Sequence, residues 1–169
     1  MGNGTMLFPD IPNQLRESYE LIKTIITDFR NLKRKLSNRE RKNLLSTLKS
    51  GLNVINMICI KIIAESEASK NANRKMNISF EEREKIVEEI LLLAEDGINN
   101  LVTTDAMNDL LKDYPPLAKK IYLKMYGEGE DYLPIDIYES EGEFLGWIYR
   151  VNMYIEDILN TLNGIVRTF

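Results

Sequence analysis

The chain has 169 residues, 44% of them hydrophobic and 28% charged, with a net charge of −4, a balance that fits one globular domain and excludes wholesale disorder. Histidine is absent and the only cysteine is Cys59. No intrachain disulfide can form, and the usual general base, the usual metal ligand and the partner of a serine or cysteine nucleophile are all missing. Residues 1–11 read as a disordered leader or tag remnant and residues 12–169 as a single domain. The most apolar run, Val54 to Ile63, is short and interrupted by Asn56 and Lys61, so no membrane span and a cytoplasmic location are expected.

Leu15, Tyr19, Ile22, Ile25, Ile26, Phe29, Leu32 and Leu36 recur at intervals of three and four and predict a first helix from about Pro12 to Leu36. Ser37-Asn38-Arg39-Glu40 is a capping box that opens a second helix running to about Glu67. Its apolar face holds Leu44, Leu48, Leu52, Ile55, Cys59 and Ile62. Polar residues from Ser69 to Asn77 predict a loop, and Ser79-Phe80-Glu81-Glu82 repeats the capping pattern before a third helix ending near Val102. Thr104 to Lys112 and Pro115 to Tyr126 predict two short helices separated by the prolines.

Gly127 to Asp131 reads as an acidic break, and Pro134 argues against regular structure just after it. Phe144, Ile148, Val151, Ile155, Ile158, Leu162 and Ile165 then alternate steps of four and three, which predicts one helix from about Ser140 to Arg167 with the first six of these residues facing the core. The expected fold class is all-α: a bundle of four long helices plus two short ones.

The residues offer little chemistry, so no catalytic residue, metal site or cofactor is expected. Cys59 falls on an apolar helix face and reads as a core residue. The acids Glu81, Glu82, Glu84, Glu88 and Glu89 read as a solvated face favoured near a helix N-terminus. Charge distribution is more informative. Arg30, Lys33, Arg34, Lys35, Arg39, Arg41, Lys42 and Lys49 face the single acid Glu40 between positions 30 and 49. That helix-turn-helix corner is either a phosphate anchor or a solvated turn. Glu128, Glu130, Asp131, Asp136, Glu139, Glu141 and Glu143 form an acidic stretch without Lys or Arg, and opposite charges at two places suit head-to-tail self-association.

Three segments resemble the small helical subunit of type III-B (Cmr) CRISPR effector complexes. They are Leu15-Arg16-Glu17-Ser18-Tyr19-Glu20-Leu21-Ile22, the run Ser50-Gly51-Leu52-Asn53-Val54-Ile55 through Lys61, and Glu143-Phe144-Leu145-Gly146-Trp147-Ile148-Tyr149-Arg150. The resemblance implies a non-enzymatic RNA-binding protein of antiviral defence. It would stack head-to-tail with itself, contact other subunits of a ribonucleoprotein complex, and line the target-RNA groove with the eight basic residues named above. An alternative resemblance, carried by Ile58-Cys59-Ile60-Lys61-Ile62-Ile63 and Asn77-Ile78-Ser79-Phe80-Glu81-Glu82-Arg83, is to GINS-like replication subunits, which would add a small β domain.

Overall fold

The computed structural model describes residues 6–125 and 133–167. In chain order the elements are α1 (Ile11–Phe29), α2 (Asn38–Asn71), α3 (Phe80–Leu91), a π-helical segment (Leu92–Ile98), α4 (Asn99–Val102), α5 (Asp105–Leu111), α6 (Pro115–Ala118), α7 (Pro134–Tyr138) and α8 (Glu141–Val166). The fold is all-helical, with no strand among the described residues, including those of the region where the replication-subunit alternative would place its β domain.

The α8 periodicity translates directly into packing. Phe144, Ile148, Val151, Ile155, Ile158 and Leu162 are all buried, and Ser140 caps the helix by accepting from the Glu143 amide at 3.1 Å. α8 packs along α2, and the two run antiparallel, since Asn152 donates to Asn56 at 2.8 Å whereas Tyr149 reaches Glu67. α1 lies across α2 and the π-helical segment, and one buried core runs from Phe8 to Leu162.

By length and composition, α2 could cross a membrane, contrary to the expectation from Val54 to Ile63 alone. Less than half of its most apolar stretch is buried. The buried part is one stripe through Leu48, Leu52, Ile55, Cys59 and Ile62, while Met57 and Ile60 stay exposed, so the apolar residues of α2 are divided between the core and an outer face.

Several boundaries depart from the periodicity. α1 stops at Phe29 rather than Leu36, although Leu36 still packs against the core. Ser37 can cap α2 only in extended backbone (φ −70°, ψ 163°), and Arg34 reaches forward to Glu40, so the chain must leave the helix before the cap. α2 continues to Asn71, and the loop begins at Ala72 with Asn73 and Asn77 at positive φ. The third predicted helix changes to a π-helix at Leu92, which shifts the phase of the residues beyond it.

The predicted helix from Pro115 to Tyr126 is a single turn ending at Ala118. Side chains claim the backbone beyond it. Asn99 accepts from the Leu123 amide at 2.6 Å and donates to its carbonyl at 2.9 Å. Trp147 Nε1 donates to the Met125 carbonyl at 2.8 Å, and the Tyr154 hydroxyl accepts from the Lys124 amide and donates to the Tyr122 carbonyl. A helix there would forfeit these bonds. Pro134, expected to oppose regular structure, instead opens α7, where its missing N–H costs no bond. Of the expected leader, Phe8 and Ile11 are buried in the core, while residues 1–5 lie outside the described residues.

Gly51 and Gly97 set the position of α1. A Cβ at Gly51 would lie 2.9 Å from Ile22 Cδ1, and one at Gly97 would lie 3.3 Å from Tyr19 Cδ1. Gly51→Ala is expected to destabilise the protein: overpacking costs roughly 1–3 kcal/mol, against about 1 kcal/mol of helix propensity gained. In an Ile22→Val background, which lacks Cδ1, the same change should become neutral or stabilising. Urea denaturation of the four proteins in this cycle measures the coupling, and additive effects would refute the contact.

Candidate nucleic-acid interface

The eight predicted basic residues do not sit on two helices meeting at a tight turn. Lys33, Arg34 and Lys35 lie in a non-helical connector, residues 30–37, rather than on the last turn of α1. Arg30 caps the end of α1, and Arg39, Arg41, Lys42 and Lys49 lie on α2. Arg39, Lys42 and Lys49 follow a spacing of three and seven, which places them along one stripe of α2.

Two of the eight serve structure. The Arg34 guanidinium forms a two-pronged pair with Glu40, Nη1 donating to Oε1 at 2.7 Å and Nη2 to Oε2 at 2.9 Å. Glu40 Oε1 also accepts from the Ser37 amide at 2.9 Å, and Ser37 Oγ accepts from the Glu40 amide at 3.1 Å. The Arg34 bonds, followed by the Ser37 amide, lower the Glu40 pKa to about 2. Arg41 donates to Asp113 at 2.6 Å and so ties the start of α2 to the segment between α5 and α6. Arg30, Lys33, Lys35, Arg39 and Lys42 are exposed and Lys49 half-buried, and none of these six forms an ion pair among the described residues. The connector thus keeps a local excess of positive charge after Arg34 is paired with Glu40 of α2.

Of the acidic stretch, Glu128, Glu130 and Asp131 lie outside the described residues. Asp136 accepts from the Leu133 amide at 3.1 Å at the start of α7, and Glu141 and Glu143 occupy the first turn of α8, where the helix dipole favours them. Because α2 and α8 are antiparallel, the acidic start of α8 lies beside the end of α2, far from the basic start of α2. At about 1.5 Å per residue, α2 spans roughly 50 Å between them.

The helix-three acids do not form one solvated face. Glu82 is buried and accepts from the Leu7 and Phe8 amides at 3.0 and 2.7 Å. It therefore does not return to Ser79 to complete the capping box, although Ser79 Oγ accepts from its amide. Glu89, also buried, pairs with Arg16 at 2.8 Å and Lys85 at 3.2 Å. Burial opposes its ionisation, but the Arg16 and Lys85 bonds outweigh burial and lower its pKa. The signal was present: Glu82, Ile86, Glu89 and Leu93 share the inward stripe. Cys59 lies in the core, where burial pushes its thiol up to about 12. No cluster of three or more Cys, Asp or Glu arranged to hold a metal occurs among the described residues.

The Glu40 cap carries a pH signature. Its folded pKa of about 2 lies below the ordinary 4.5, so its stabilisation is complete above 4.5 and is lost as pH falls towards 2. The difference in Tm between the wild type and Glu40→Gln should shrink steadily across that window. A difference independent of pH would show that the Arg34 pair does not operate.

No family model matches the chain, and comparisons with curated proteins and with solved structures found no match.

Proposed function

We propose that this chain is a non-catalytic, cytoplasmic binding subunit that holds single-stranded RNA by its phosphates, within a type III (Cmr-like) CRISPR effector complex. The exposed cations Lys33, Lys35, Arg39 and Lys42, gathered on the connector and the first turns of α2 without carboxylate partners among the described residues, carry this reading. Arg30 and Lys49 extend the same surface, whereas Arg34 and Arg41 shape it through Glu40 and Asp113.

A connector of this kind suits phosphates rather than bases. Its long, flexible cations attract backbone charge without a fixed pattern of donors for base edges. The separation of the acidic start of α8 from the basic start of α2 supports head-to-tail stacking. One copy's acidic end would meet the next copy's basic end, and repeated connectors would align along one strand.

Charge reversal at Lys35, Arg39 and Lys42 is expected to weaken single-stranded RNA binding on the order of tenfold or more and to flatten its salt dependence, irrespective of RNA sequence. Fluorescence anisotropy over a salt series measures both. Unchanged affinity and slope in a folded triple variant would show that the connector is a solvated turn.

A further inference from the structure

A cleft of about 560 Å³ opens between α1 and the end of the π-helical segment with α4, and it meets the basic connector at Arg30. Its two walls differ in chemistry. Lys23 on α1 and Arg30 at its C-terminal cap both line the cleft, two helical turns or about 10 Å apart. Neither forms an ion pair among the described residues, and Lys23 rests over the Tyr19 ring at 5.3 Å. One end is closed by the Tyr19 hydroxyl donating to Asp96, a bond that, with burial, raises the Tyr19 pKa to about 12.

The other polar groups have already committed their donors. Thr27 Oγ1 donates to the Lys23 carbonyl at 3.0 Å, Thr103 Oγ1 to the Asn100 carbonyl at 3.2 Å, and Thr104 Oγ1 to the Leu101 carbonyl at 2.7 Å. The Asn100 amide donates to the Asp96 carbonyl and carboxylate at 2.7 and 3.3 Å. What these side chains still present to the cleft is lone pairs: the hydroxyl oxygens of Thr27 and Thr103, and Oδ1 of Asn100. Asp96 also lines the cleft, but its two carboxylate oxygens already accept from Tyr19 and Asn100, so a ligand that suits both walls is anionic towards Lys23 and Arg30 and carries hydrogen-bond donors towards Thr27, Thr103 and Asn100.

A ribose–phosphate backbone has that combination, and a deoxyribose backbone lacks the donor. We propose that this cleft seats the same RNA strand as it leaves the connector, with phosphates on Lys23 and Arg30 and 2′-hydroxyls donating to Thr27, Thr103 and Asn100. The cleft thereby selects RNA over DNA. This inference rests on the RNA-binding reading above and adds to it a sugar-reading subsite.

The test compares a riboadenylate with a deoxyriboadenylate of equal length at fixed salt, so that bases and charge are the same. The wild type should favour the ribo form by about fivefold or more, the worth of at least one ordinary hydrogen bond. The double variant Thr27→Val/Thr103→Val, which keeps the branched shape, should lose that preference with its DNA affinity unchanged, and Thr27→Ser/Thr103→Ser should retain it. Lys23→Ala should weaken both oligonucleotides and lower the salt slope by about 1, whereas the triple connector reversal should weaken both and leave their ratio intact. A wild type that binds neither oligonucleotide would overturn the RNA-binding reading and the cleft with it. Binding that depends on the connector but shows no ribose preference, or a preference that survives the valine pair, would overturn the cleft alone.

Discussion

Two side chains of α1 fill space that glycines on different elements leave open: a Cβ at Gly51 would stand 2.9 Å from Ile22 Cδ1, and one at Gly97 would stand 3.3 Å from Tyr19 Cδ1. Glycine in a helix interior gives up about 1 kcal/mol relative to alanine, so the close approach of α1 comes at the expense of local helix stability in both partners. It also sets what α1 presents elsewhere. With Ile22 turned into the core, Tyr19 closes over Gly97 and bonds Asp96, while Lys23 and Arg30 are left along the cleft. The π-helical segment belongs to the same arrangement, because it carries Gly97 against α1 and brings Asn99 to Leu123.

A second constraint comes from buried polar side chains that hold backbone. Glu82 binds the amides of Leu7 and Phe8, Asn99 binds both backbone groups of Leu123, and Trp147 binds the Met125 carbonyl. Arg83 gathers the carbonyls of Ile78 and Tyr138 at 2.7 and 2.9 Å. Each fixes a stretch outside the long helices to a residue of a helix. An unpaired buried group at any of these places would cost about 1–3 kcal/mol, so the connectors are specified about as firmly as the helices they join.

These two constraints explain what could be read from the sequence. α8 was legible from end to end because its register is set by apolar spacing and its start by a serine cap, both local signals. The start of α2 was legible for the same reason. α1 was overextended because Leu32 and Leu36 continue the apolar period, while the bonds that end the helix, Arg34 to Glu40 and the Ser37 cap, belong to the next element. The segment after Ala118 keeps helical composition, but its backbone partners come from residues 24 or more positions away, or from α8, and no local pattern announces them. At the candidate interface, the cluster of cations was visible in the sequence. Which of them are spent on Glu40 and Asp113, and that Lys23 joins Arg30 along one wall of a cleft, depend on tertiary contacts.

The resulting surface is polarised along the bundle. The basic stripe of α2 gives way to exposed Met57 and Ile60, and Tyr149 and Met153 of α8 are exposed as well, while Asp136 of α7 and Glu141 and Glu143 in the first turn of α8 lie at the far end. Under the proposed function, the docking of α1 and the non-helical connector together create the RNA-binding face. Hydrogen exchange of the protein with and without a saturating single-stranded RNA tests this most directly. Amides of residues 30–37 and of the turn at Thr103 and Thr104 should exchange more slowly in the complex. Slowed exchange confined to α7 and α8, with the connector unaffected, would contradict it.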